Sequence, residues 1–376
     1  MKFLKKYGIF VVLAIVLLLG LVFFNKPLRI NELGVPTKEY YPYNTTARCV
    51  WDMEIFENKL YLGCGDYDTN SGPTPLLFCD MDSLGEWKSA AILDEEQIGR
   101  FLILDNKLTI PGLDSVSLPD SSVFYQVENG ELKSSPAVAD CFHIFDLVKF
   151  DGKTFLGIGG AQGLSSVVCT QDHETYIRVP MYKNGKDVIA DENLYVRTHN
   201  LYVLNDTLFA QFWCEDVQNN SLVSEIYQYT GQRFEYHTTL TGKLHTGVYC
   251  RNIPAVFSKA VLNDTVFITT GYLYFSKDME TFTRIGFPDD ARVYDIYQYD
   301  NRLYFLAAAA TEEGYKVSVY SAVSESVYDF KKEITFDYTM HPTAFAVRDN
   351  NYYIAFGDWE NSGSDTNGTI VSIKGN

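Results

Sequence analysis

Cations and carboxylates recur in this chain at a fixed distance from tight turns. His143, Arg197, Arg292 and His341 each stand nine residues before the second residue of an Asp/Asn/Gly turn, and Arg48 stands one residue further out. Arg100 lies three residues closer to its own turn. Three residues after His143, Arg197 and Arg292 come Asp146, Asn200 and Asp295, while Asp52 follows Arg48 by four. A guanidinium grips a carboxylate through two parallel hydrogen bonds. Arg48, Arg197 and Arg292, with His143 and His341, are therefore candidate ligands for an acidic sugar or another carboxylate. Asp52, Asp146 and Asp295 are the candidate acid or base of a sugar-cleaving reaction, which needs positioned carboxyl groups. The same spacing suits a structural task, each pair bridging neighbouring repeats or satisfying strand backbone. Recurrent residues usually do a recurrent job, whereas catalysis needs a unique one.

Two polar loops add chemistry. Residues 65–73 read GDYDTNSGP and residues 357–365 read GDWENSGSD. Each sets a carboxylate beside an aromatic ring: Asp66 with Tyr67, and Asp358 with Trp359. Aromatic faces stack on sugar rings and carboxylates accept from hydroxyls, so these loops resemble a carbohydrate subsite. Trp213 with Glu215 and Asp216 repeats the combination. Asp66, Asp68 and Asn70 have the one-three-five oxygen spacing of a calcium loop, without the later bidentate Glu. An Asx-rich turn bonding its own backbone accounts for the same residues. No paired-ligand zinc spacing, Gly-rich phosphate loop or GxSxG elbow occurs, so no cofactor other than calcium is indicated.

The elements that must position these residues are seven copies of one hairpin. Their turns begin at Glu57, Asp105, Asp151, Asn205, Asn263, Asp300 and Asp349. Each is a two-residue turn drawn from Asp, Asn or Gly, with Glu57 beside Asn58 in the first copy, between apolar or aromatic strands, and Asn, Asp and Gly tolerate the positive φ a tight hairpin demands. The copies start 37 to 58 residues apart, the length of a four-stranded propeller blade. Most are followed by two further strand-like runs. The 27 Tyr and 25 Phe suit half-buried pleated surfaces. After the last hairpin only one strand remains, so the final blade lacks its outer strand. Residues 28–41 are predicted to supply it and close the ring, removing an exposed edge. The expected fold is all-β, a seven-bladed β-propeller closed by an N-terminal strand.

Residues 276–282 (SKDMETF) and 170–176 (TQDHETY) lie between third and fourth strands. They resemble the Asp-box (BNR) turns of sialidase-like propellers, where Ser/Thr-x-Asp leads a turn ending in an aromatic. Here Glu stands at the usual Gly and one residue is missing before the ring. In that family the box is a structural turn away from the catalytic face. The resemblance implies the fold over roughly residues 48–376. The family's catalytic arginine triad, Tyr–Glu pair and Arg-Ile-Pro motif find no match beyond Arg251-Asn252-Ile253-Pro254, so it does not imply sialidase chemistry.

The chain begins with Lys2, Lys5 and Lys6 ahead of an unbroken 17-residue apolar run, residues 8–24. The run is long enough for a short membrane helix, and no small-x-small cleavage site follows it. It is expected to be an uncleaved signal anchor, with residues 1–7 cytoplasmic, residues 25–45 a linker and closing strand, and residues 46–376 the propeller outside the membrane. The formal charge of −17 argues against nucleic acid as partner. Seven cysteines, an odd number without a CxxC, make no disulfide framework. Two functions remain open: recognition of a glycan or protein ligand on the loop face, and carbohydrate cleavage by funnel carboxylates.

Overall fold

A computed structural model describes residues 28–118, 120–160, 166–189, 194–216, 221–244, 258–322, 329–358 and 364–375, without the side chains of 194–195, 214–216 and 221–222. The apolar run 8–24, the 251–254 string and Trp359 lie outside the described residues. Among those described, no helix is long and apolar enough to cross a membrane.

The chain is an all-β propeller. Every predicted hairpin turn adopts two successive positive-φ residues, from Glu57 (φ 47) and Asn58 (φ 60) to Asp349 (φ 49) and Asn350 (φ 60). This is the backbone of a two-residue turn matched to strand twist. The first sheet runs Asp52–Phe56, Lys59–Gly63, Thr74–Asp80, Lys88–Leu93, all antiparallel. Where seven separate blades are predicted, five four-stranded sheets stand as discrete units. The strands of the third and fourth hairpin copies run together in one ten-stranded sheet, because Gly159 at the end of one hairpin pairs with Arg197 at the start of the next. A small hairpin, Met181–Lys183 with Lys186–Asp187, extends that sheet by pairing in parallel with Phe234–Thr239.

The last sheet is completed from the other end of the chain. Ile30–Gly34, within the stretch predicted to close the ring, pairs antiparallel with Thr369–Lys374. Beneath this seam a core of Val50, Leu60 and Leu77 packs with Phe345, Ile354 and Val371, so the first and last sheets share buried side chains. Five cysteines, Cys49, Cys64, Cys79, Cys141 and Cys169, are buried free thiols, and burial pushes Cys64 up to about 12.

In four of the seven hairpin copies the first strand carries a bulge near its start. The pairing register slips between Ile144 and Asp146, Thr198 and Asn200, Val293 and Asp295, and Pro342 and Ala344. A bulge leaves one residue unpaired and re-aims its side chain. Here the unpaired residues are Phe145, His199, Tyr294 and Thr343.

Candidate functional site

The recurrent aspartates turn inward to the protein rather than to solvent. Asp52 accepts from Met53 N at 2.8 Å and, across the sheet boundary, from Phe101 N at 2.6 Å. Asp146 accepts from Leu147 N at 3.1 Å and Leu201 N at 2.6 Å. Asp295 accepts from Ile296 N at 2.8 Å and Phe345 N at 3.0 Å. Each carboxylate thus spends one oxygen on its own bulge and the other on the first strand of the next hairpin copy. Both oxygens of each are engaged in holding the ring together, a structural task. Asp146, fully buried, is also paired with Arg100 at 3.4 Å and with the Lys259 ammonium.

Asp52 and Asp295 line a cavity of about 680 Å³ with Glu54, Arg100, Lys259 and Tyr297. Burial raises Asp52 to about 6 and Glu54 to about 7. It raises Asp295 to about 8, with help from the Asp52 charge. Burial lowers Lys259 to about 8 against the opposing pull of Asp146. Glu54 accepts from Tyr297 Oη at 2.7 Å.

The predicted cations divide. Arg48 is 1% exposed, and its guanidinium donates to Tyr41 O at 2.7 Å, Pro42 O at 2.6 Å and Asp365 Oδ1 at 3.1 Å. Its role is corrected from anion ligand to fastener, tying the segment before the first sheet to the last loop. Arg292 is half-buried and lines none of the mouth cavities described here. His341 stacks on Tyr294 with ring centroids 5.4 Å apart and lies 3.9 Å from Asp358. The last loop meets the segment before the first sheet: Asn367 Nδ2 donates to Thr45 O at 3.2 Å and, within its own loop, to Asp358 O at 3.0 Å. Asp66 caps its own turn, accepting from Asp68 N at 3.1 Å and Thr69 Oγ1 at 2.7 Å. The Asp66, Asp68, Asn70 spacing therefore builds an Asx-type turn. Among the described residues no three His, Cys, Asp or Glu converge as they would around a metal.

His143, Arg197, Tyr67 and Trp213, picked from different loops and strands, come together. They line one cavity of about 240 Å³ at the mouth, with Phe145 and His199. The rings form a continuous ladder. Tyr67 meets His143 edge-on at 6.1 Å, and His143 lies 5.1 Å from Phe145. His199 sits between Phe145 and Trp213, 4.1 Å from each. Gly159 permits this packing, because a Cβ there would stand 2.9 Å from the Phe145 ring and 3.2 Å from the Arg197 stem.

Three ring nitrogens in this cavity, His143 Nδ1, His199 Nε2 and Trp213 Nε1, are buried without a hydrogen-bond partner. Asp114 Oδ1 is 3.5 Å from His143 Nδ1. Buried polar atoms are nearly always satisfied, so these nitrogens mark where water or a ligand's polar atoms bond in the cavity. Burial, then the Arg197 charge, lowers His143 to about 3 and holds His199 well below its usual value. Both imidazoles are neutral near pH 7, so each ring offers one donor and one acceptor. The indole nitrogen only donates. Arg197 supplies the positive charge, with Asp114 close enough for the two to interact.

Phe145 and His199 escape a reading that pairs the charged mouth residue with the carboxylate three positions on. Both stand two residues after the charged residue, as do Tyr294 and Thr343, and it is the bulge that turns them toward the mouth. An aromatic or His recurring at that offset was the available signal.

No protein-family model and no curated protein matches the sequence. Among solved structures, the chain is similar to Sqt1 of Saccharomyces cerevisiae (9% identity, TM-score 0.45, covering 87% of this chain and 96% of that one). It is also similar to the β-propeller domain of the trilobed protease from Pyrococcus furiosus (12%, TM-score 0.46, 82% and 90%). A third likeness is to polysaccharide lyase Uly1 (8%, TM-score 0.46, 88% and 90%). These are likenesses of fold.

Proposed function

We propose that this protein is a recognition propeller whose mouth cavity takes an acidic saccharide, its carboxylate set against Arg197. The observation that carries the reading is the group of three orphaned ring nitrogens beside one guanidinium, walled by stacked aromatic rings. An aromatic wall suits a sugar face, neutral imidazoles suit hydroxyls, and the indole N–H and Arg197 suit a carboxylate. The volume of about 240 Å³ is below that of cavities for drug-sized ligands, ~300–1,000 Å³, and fits a single substituted ring.

In this reading the ring has seven blades. The ten-stranded sheet is two blades joined through the Gly159–Arg197 pairing, which sets Arg197 directly against the neighbouring hairpin. Residues 8–24 anchor the chain in a membrane and the propeller faces the extracytoplasmic side. Protease accessibility of the propeller in sealed vesicles of known orientation tests that placement.

The ligand reading is tested by thermal unfolding and calorimetry with D-glucuronate, D-galacturonate and N-acetylneuraminate, against glucose as neutral control. An acidic sugar at 100 times its dissociation constant stabilises by about 2.7 kcal/mol. Binding of an acidic sugar that is lost in Arg197→Gln supports the reading. Equal binding of glucose refutes the Arg197–carboxylate contact, and binding of no sugar refutes the saccharide reading in favour of a protein ligand. A second reading, carbohydrate cleavage, draws on Glu54 and Asp295, which burial keeps protonated near neutral pH beneath the mouth. Product analysis of the same mixtures decides it, cleavage lost in Glu54→Gln being the supporting result.

A further inference from the structure

The cavity holding Arg197 has a neighbour. A second hollow of about 400 Å³ adjoins it and shares Tyr67, Gln97 and Gly99 as a common wall. Its other walls include Trp51, Tyr294, Asp66, Asp68 and Thr343. We infer that this hollow is a second subsite, shaped for a neutral sugar ring, and that the ligand is an oligosaccharide of at least two units with its acidic unit at the Arg197 end. The inference rests on the acidic-saccharide reading above.

Three features of the hollow support it. First, Tyr294 and Thr343 occupy the same bulge position as Phe145 and His199 in the first cavity. Trp51 is placed alike, since its own N–H donates to Gly63 O at 2.8 Å while Asp52 pairs with the same Gly63. The device that aims rings into one cavity therefore aims them into the other. The Trp51 plane is fixed by its Nε1 donating to Gly65 O at 2.6 Å, so the indole is held rigidly in the wall of the hollow.

Second, Thr343 Oγ1 is buried without a hydrogen-bond partner. A hydroxyl both donates and accepts, so its natural complement is another hydroxyl. Third, the sign of charge reverses between the two hollows. The first holds Arg197; the second holds Asp66 and Asp68. A second carboxylate there meets two like charges, whereas sugar hydroxyls can donate to them. The two hollows therefore differ in which sugar they admit, with Tyr67 standing between.

The test compares D-glucuronate with a set of aldobiouronic acids (glucuronate linked to one neutral sugar) of different linkage, and with digalacturonate. The probes are titrated into the full-length protein in detergent, wild type and variants, by calorimetry. At least one aldobiouronic acid is expected to bind about tenfold more tightly than glucuronate, and digalacturonate no more tightly. Trp51→Ala and, as a volume-conserving check against misfolding, Thr343→Val should shrink that tenfold ratio to below threefold. Asp68→Asn should relieve the penalty on digalacturonate. The inference is overturned if glucuronate binds but no aldobiouronic acid gains over it, or if the gain survives both Trp51→Ala and Thr343→Val. If no acidic sugar binds at all, the Arg197 reading itself falls, and this inference with it.

Discussion

Asp146 is the most consequential side chain in the ring, and Asp146→Asn isolates what it does. Asn is nearly isosteric and can keep the bond from Leu147 N. Its other end becomes an NH₂ group facing Leu201 N and the Lys259 ammonium, both of which now bond to the carboxylate. The hydrogen bond from Leu201 N goes to a charged acceptor, and losing it costs about 1.5–3 kcal/mol. Lys259 and Arg100 lose their shared counter-charge in a buried setting. Breaking a buried pair from one side costs about 3–5 kcal/mol in all. The expected loss is about 4 kcal/mol, or roughly 8 °C in melting temperature at about 2 °C per kcal/mol for a large domain. Equilibrium urea unfolding at pH 7 reads it directly. Adding Lys259→Met to Asp146→Asn should recover part of the loss by removing the orphaned ammonium. The pH dependence follows from the Lys259 shift. Its ammonium already titrates low, at about 8, and without Asp146 it titrates lower still. A lysine with a depressed folded pKa gains stability as pH rises through that value, so the gap between variant and wild type should narrow from pH 6 to pH 8. A loss below about 1 kcal/mol, or a Lys259→Met change that adds to the loss, would refute the view of Asp146 as the counter-charge that fastens these strands.

Two further expectations concern buried charge elsewhere. Glu95 is wholly buried, accepts from Tyr125 Oη at 3.2 Å, and is raised by burial to about 8. It stays protonated in the fold, so its contribution to stability is full below pH 4.5 and declines as pH rises to about 8. Glu95→Gln should remove that decline, gaining about 4 kcal/mol relative to wild type between pH 5 and pH 9 at about 1.36 kcal/mol per pH unit; parallel stability curves for the two proteins would contradict this. Asp114 shares the neighbourhood of Arg197, so Asp114→Asn should tighten acidic-sugar binding a few-fold without making neutral sugars bind. Unchanged or weaker affinity by calorimetry would show that Asp114 does not compete for that charge.

How far the sequence could be read depended on the range of the interaction concerned. Turn chemistry is local, and all the hairpin turns were legible from pairs such as Asn205-Asp206, whose positive φ values need no distant partner. The closing strand was legible for a related reason, because an incomplete last repeat demands one. The register slip at Asp146 was not legible: it hangs on a bond to Leu201 from another hairpin copy. That slip decides that Phe145 faces the mouth while Asp146 faces the seam. Arg48 misled for the same cause. Its type and spacing match Arg197, yet its fate is set by the carbonyls of Tyr41 and Pro42 and by Asp365, which no periodic pattern exposes.

The pairing of Ile30–Gly34 with Thr369–Lys374 also sets a timetable for biosynthesis. Ile30–Gly34 cannot pair until the chain has been made as far as Thr369–Lys374. Until then the growing chain can form its local hairpins but holds an unpaired edge at Ile30–Gly34. Closing that seam is a contact of large sequence separation, the slow kind in folding. Protection from unwanted strand pairing therefore matters most at Ile30–Gly34 while the intervening hairpins are being made.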